Sequence, residues 1–359
     1  MHKPKRDGNA TFSRFYMESK VAKNTYNCRY LSVGLLNNST AIKQLLQQQL
    51  WTMIGLSKMG IAADLSGSAK FTLETIPLHR LSDDSCIVYR SAIALKLASV
   101  WQRKALDIAN QLIASLPISH DGATHRCLDF SVEVVPPGWI NFRLSDQALA
   151  SWLQQMIQIP PTRGERQHRR GEAQERESKG RIHQDTRNLV EKLSVSSSPL
   201  ACPKDAPTLF QMQYAHARCC SLLRMAHRQG LIQLRDLDFK TLSWQLVEPN
   251  PIPWLNHDQR ADSQEVTLRL VHPTEQGLIG QILDCQDELN DSGQGNGVKQ
   301  CRTLSRDFEQ FYSSCRILGE VKTQTPKLAQ ARLGLLAVTQ GMLRSLLQDQ
   351  LGVPAPVEL

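Results

Sequence analysis

From residue 160 to about residue 188 the chain offers almost no apolar side chains, and that gap limits everything it can fold into. A stretch built from Arg, Glu, Gln, His and Gly cannot bury enough surface to offset the entropy of ordering it. The segment 159–206 therefore reads as a charged linker, at most transiently helical through Glu/Arg pairs, with the cores built on either side of it. Its basic cluster, Arg163, Arg166, Arg169 and Arg170, reads as a solvated spacer, with contact to RNA phosphates as the alternative.

On both sides the 359-residue chain, 41% hydrophobic, has enough apolar material for real domains. A balance of 42 Lys and Arg against 34 Asp and Glu leaves +8, which favours a polyanionic partner such as RNA without requiring one. Nine scattered cysteines include no CxxC pair, so they read as reduced thiols; no metal site and no cofactor are expected. Residues 1–39 read as a polar leader without the apolar core of a signal peptide. No apolar run approaches the roughly 20 residues that a membrane helix needs. The expectation is a soluble, cytoplasmic protein.

Residues 40–158 read as one α+β domain. The apolar spacing predicts a helix over 40–56, a short strand over 71–76, and helices over 91–100 and 104–116. Alternation predicts strands over 128–135 and 139–144, joined by a turn at Pro136-Pro137-Gly138, then a helix over 146–157. Residues 207–359 read as a mainly α-helical bundle, with helices over 209–231, 274–289, 305–318 and 326–351. Within it, 232–272 reads as an insertion with little regular structure beyond a strand-like run over 266–271.

The run FQMQYAHARCCSLLR over 210–224 and the carboxyl-terminal RLGLLAVTQGMLRSLLQDQLGVPAPVEL resemble the two ends of the DALR anticodon-binding bundle of arginyl-tRNA synthetases. The block Gln213-Tyr214-Ala215-His216-Ala217-Arg218 is the specific part, and FEQFYSSCRIL over 308–318 resembles the family's penultimate helix, with Arg316 where the family usually has Pro. YRSAIALKLASVWQRKALDIANQLIASL from Tyr89 and VEVVPPGWINFRLS over 132–145 resemble the amino-terminal additional domain of the same family.

The resemblance implies tRNA, with arginine isoacceptors favoured, held at the anticodon loop by the bundle and at the elbow by the first domain. Ala215 matches the small residue against which an anticodon base packs, and Leu359 takes the place of the family's terminal Met. Gln211 stands where the family has a stacking aromatic, with Phe210 beside it as a substitute, and Val357-Glu358 replaces an acidic-then-basic pair. For Tyr214 and Arg218, base or phosphate contact competes with ordinary helix packing, whereas His216 reads as structural. In the first domain Asn141 and Phe142 match the elbow-facing block. Alternation also allows Phe142 to be core and turns Asn141 outward, with Trp139 on the same face.

In that family a nucleotide-binding catalytic domain separates the two, yet the interval 159–206 is far shorter than the ~100 residues an ordinary domain needs. Neither a HIGH-like nor a KMSKS-like signature occurs, and the nearest look-alikes are Ser57-Lys58-Met59-Gly60 and Ser178-Lys179-Gly180. The chain is therefore expected to have no catalytic residues and to bind tRNA through two modules tethered by the linker. The alternatives are a protein-interaction subunit that kept the fold without binding RNA, and a ligase completed by a separate catalytic chain. A tRNA-modifying enzyme or another protein is the partner class considered beside tRNA.

Overall fold

The computed structural model describes residues 29–34, 41–56, 73–81, 86–116, 127–158, 209–238, 243–257, 266–290 and 296–359. The linker reading of 159–206, with its basic cluster, and the leader reading of 1–28 lie outside the described residues.

The amino-terminal region is built on an antiparallel five-stranded sheet, in the order β1-β4-β5-β3-β2. Its strands are β1 (Arg29–Gly34), β2 (Leu78–Arg80), β3 (Val88–Ser91), β4 (Cys127–Val135) and β5 (Trp139–Leu144). β1 falls inside the stretch read as leader and adds an edge strand against β4. Among the described part of 71–76 there is a 3-10 turn, Leu73–Thr75, in place of the expected strand. Helix α1 (Ile42–Leu56) buries Ile42, Leu45, Leu46, Leu50 and Met53, the face that the 3.6-residue period predicts. α2 (Ile93–Trp101) and α3 (Ala105–Ala114) pack beside it over the sheet. The β4–β5 turn works because Gly138 adopts φ +149°; a Cβ there would also meet Ala105 backbone and side-chain atoms at 2.8 Å. α4 (Asp146–Gln158) starts where the Ser145 hydroxyl accepts the Ala148 N–H at 3.1 Å.

The carboxyl-terminal bundle comprises α5 (Leu209–Arg228), α6 (Pro273–Asn290), α7 (Gly297–Ser314), the short α8 (Glu320–Gln324) and α9 (Pro326–Ser345). α9 runs on into a π turn, Leu346–Gln350, and the chain ends as an irregular strap over 352–359. α7 begins eight residues before the predicted 305, because Asn296 caps it by accepting the Lys299 N–H at 3.0 Å. The stretch 232–272 carries more order than its sequence suggests. β6 (Gln233–Asp238) pairs with β7 (Ser243–Glu248), and β8 (Leu255–His257) pairs with β9 (Val266–Leu268). Strands this short have too few alternating positions to stand out in sequence. They are held by burying Ile252, Trp254, Leu268 and Leu270.

The two regions are not joined by the linker alone. Their buried apolar side chains form one continuous cluster, in which α4 packs on α9 and the β8–β9 hairpin, and α1 packs on α6. Among the described residues no helix is long and apolar enough to cross a membrane.

Candidate nucleic-acid interface

Positions four apart stand in a line along a helix, and on α5 that line is Phe210, Tyr214 and Arg218. Phe210 is 60% exposed and Tyr214 46%, unusual for large aromatic side chains, and their rings stack at 6.3 Å between centroids. Arg218 extends the line to α7. Its guanidinium donates to the Tyr312 hydroxyl at 2.5 Å and lies 5.0 Å from that ring's centre, while Tyr312 stacks in turn on the buried Phe308. Three exposed rings and a cation thus share one ridge formed by two helices. Tyr312 was not singled out in the sequence, because only the packing of α5 against α7 brings it beside Arg218.

The carboxyl-terminal strap runs along α5. Gln213 donates to the Pro354 carbonyl at 2.9 Å, and His216 Nδ1 lies 2.8 Å from the Pro356 carbonyl. Arg224 holds the Val357 carbonyl at 3.2 Å and pairs with Glu358. The opposite ring nitrogen of His216 faces Gln340 Nε2 at 2.8 Å, so the neutral ring donates from Nδ1 and accepts at Nε2. Burial holds His216 down to about 4, against the backbone hydrogen bond that favours its cation, and the nearby Arg344 lowers it further. The residue is structural, and among the described residues no group of three or more His, Cys, Asp or Glu is arranged for a metal ion.

Ala215 and Leu359, the two positions that the resemblance matches to base-contacting residues, differ in exposure. Ala215 is 0% exposed, turned into the bundle beneath the exposed ridge, so no base reaches it in this conformation. Helix periodicity explains this: a residue one step from Tyr214 points about 100° away from it. Leu359 is exposed at 63% and follows Val357 and Glu358, which Arg224 holds, nearly three turns along α5 from Tyr214. Gln211 sits on the exposed side of α5 next to Phe210.

On the sheet, Phe142 is core, with 0% exposure. Asn141 is on the opposite face, as alternation requires, yet it is 5% exposed rather than free. It accepts from Arg90 Nε at 2.9 Å and donates to Glu133 at 3.0 Å, its two cross-strand neighbours. The Arg90 guanidinium lies 5.7 Å from the centre of the half-buried Trp139 ring. What this face presents is therefore Trp139 with Arg90 and the exposed Arg143, and Asn141 is the residue that orients Arg90. Only the strand register shows the part played by Arg90, which lies 51 residues from Asn141 along the chain, whereas Glu133 faces Asn141 across the β4–β5 hairpin.

Two parts of the chain are similar to known protein families. Residues 41–144 match the Arginyl tRNA synthetase N terminal domain, and residues 254–359 match the DALR anticodon binding domain. Both matched segments are thus similar to domains of arginyl-tRNA synthetases. The DALR match begins between the two hairpins, so α5 with its exposed ridge precedes it. Among relatives, the arginine–tRNA ligase of Synechococcus sp. (strain JA-3-3Ab) is 31% identical over 156 residues, covering 42% of this chain and 22% of that protein. That of Salinibacter ruber is 30% identical over 155 residues, covering 42% and 22%. That of Gloeobacter violaceus is 29% identical over 140 residues, covering 39% and 20%. The matched part thus spans about a fifth of the length of these synthetases. No solved structure matches the chain.

Proposed function

We propose that this chain is a non-catalytic tRNA-binding protein of the cytoplasm that favours arginine tRNA. It takes the anticodon loop on the bundle and the elbow on the sheet. The observation that carries this reading is the exposed ridge in which Phe210, Tyr214 and Arg218 of α5 meet Tyr312, which lies inside the segment similar to DALR anticodon binding domains. Unpaired bases stack on such rings while a guanidinium meets phosphate, and each stacked base contributes ~1–3 kcal/mol. The Trp139 and Arg90 pair supplies the same chemistry on the other domain. The absence of synthetase signature motifs supports a non-catalytic role, and the buried thiols of Cys219, Cys220, Cys285, Cys301 and Cys315 suit a reducing compartment.

A second reading, a protein-interaction subunit without RNA binding, draws on Glu358 occupying Arg224 and on the burial of Ala215. A titration with arginine tRNA and tRNAs of other anticodons separates the two. Binding should weaken as salt rises, discriminate between anticodons, and fall by about 1–3 kcal/mol on Tyr214→Ala. Equal affinity for every tRNA and for unstructured RNA, unchanged in Tyr214→Ala, favours the second reading.

A further inference from the structure

Around the apolar contact between the two domains, polar groups pair across the seam at both of its ends. Arg80 of β2 grips Asp284 of α6 with both carboxylate oxygens engaged, Nε to Oδ1 at 2.8 Å and Nη2 to Oδ2 at 2.6 Å. The arginine side chain is 13% exposed. It lies against Gly280 of α6, where a Cβ would stand 2.8 Å from Arg80 Nη1. One turn along α6, Asp287 accepts the hydroxyl of the fully buried Tyr89 at 2.7 Å and the backbone N–H of Lys43 at 3.1 Å. Asp287 therefore caps the start of α1 from the other domain.

At the far side of the seam, Gln154 of α4 accepts the Ile252 N–H at 2.9 Å and the Trp254 indole N–H at 3.1 Å, and Asp146 accepts the Leu268 N–H at 2.8 Å. Apolar contact alone would tolerate sliding. The polar pairs at both ends of the interface, the buried Tyr89–Asp287 bond with part-buried pairs around it, oppose sliding because a shift leaves desolvated groups without partners.

This seam links the two candidate RNA surfaces through a short path of rigid parts. On β3, Tyr89 points inward to Asp287 while its neighbour Arg90 points outward beside Trp139. Asp287 lies on α6, which packs along α7, partly through the Gln281–Gln300 hydrogen bond at 2.7 Å, and α7 carries Tyr312.

Building on the proposed RNA-binding role, we infer that the sheet face and the bundle ridge form one preassembled composite site. Its spacing is set by Arg80, Tyr89, Asp284 and Asp287 as positioning residues. The ligand it fits is a single structured RNA presenting an unpaired loop and a second contact point at a fixed distance. The 159–206 linker is not needed for that spacing.

The test introduces a specific protease site into the linker of the full chain and measures affinity for arginine tRNA and for an isolated anticodon stem-loop hairpin. After cleavage the halves co-elute, and tRNA affinity stays within about two-fold. Arg80→Glu lowers affinity for whole tRNA by about ten-fold or more while leaving hairpin affinity unchanged. A merely unfolded variant would lose both. Arg80→Asp combined with Asp284→Arg restores whole-tRNA binding, and Asp284→Asn gives a milder form of the same loss. Halves that separate on cleavage with loss of tRNA affinity overturn the inference, as does an Arg80→Glu protein that binds whole tRNA normally. An intact chain that binds neither tRNA nor hairpin overturns the RNA-binding role as well, which distinguishes the two failures.

Discussion

Ala215 and His216 are neighbours in the most specific block of the sequence, and both turn inward. Ala215→Trp would insert an indole into a fully packed position, so it should destabilise the fold by about 1–3 kcal/mol or more through overpacking. A lowered thermal midpoint together with any loss of RNA binding is the expected result, and an unchanged midpoint would mean that Ala215 is accessible after all. His216 makes a prediction about pH. Its folded value of about 4 lies below the ordinary 6.5, so the neutral ring is what the fold stabilises. The unfolded chain takes up the proton first, hence this contribution is complete above about pH 6.5 and is lost as pH falls towards 4. The loss is on the order of 3 kcal/mol. Urea unfolding at pH 7 and pH 4.5 should show a larger acid loss in the natural chain than in His216→Asn, which has no titrating ring.

Among the elements, α9 and the strap carry the sharpest expectations. Alanine is ordinarily better than glycine inside a helix by ~1 kcal/mol. At Gly334, however, a Cβ would stand 2.6 Å from the Trp254 ring and 3.0 Å from Ile252. Gly334→Ala should therefore destabilise, by about 1–3 kcal/mol, because the helix-to-hairpin packing must open; a rise in thermal midpoint would contradict this. The strap satisfies Gln213, His216 and Arg224 at once. Truncation after residue 353 uncovers the buried His216 ring without a partner for Nδ1, at a cost of about 1–3 kcal/mol. Hydrogen exchange should then quicken in α5 before it quickens in α6 or α7.

At the scale of the whole molecule, the two domains dock directly, with buried and part-buried polar partners from α1, β2, β3 and α4 meeting α6 and the segment between the hairpins. The interval that separates them in sequence is too short for a nucleotide-binding domain. Purified chain supplied with ATP, arginine and tRNA should support no arginine-dependent pyrophosphate exchange. Exchange above background would show that activation chemistry resides here despite the missing signatures.

Long periodic elements were legible from the residues alone: α1, α3, α4, α5 and α9 each repeat an apolar face often enough for the pattern to exceed chance. So were the β4–β5 turn and the family of both domains, through blocks of mixed chemistry such as QYAHAR. Four features came only from the tertiary structure: the pairing of the two short hairpins, the edge strand β1, the Arg218–Tyr312 bridge, and the hold of Arg90 on Asn141. The physical reason is common to all of them. Helical and strand periodicity records which face of an element is buried, but not which other element buries it. Contacts between residues distant in sequence, from Tyr89–Asp287 to His216–Pro356, arise only when the elements dock.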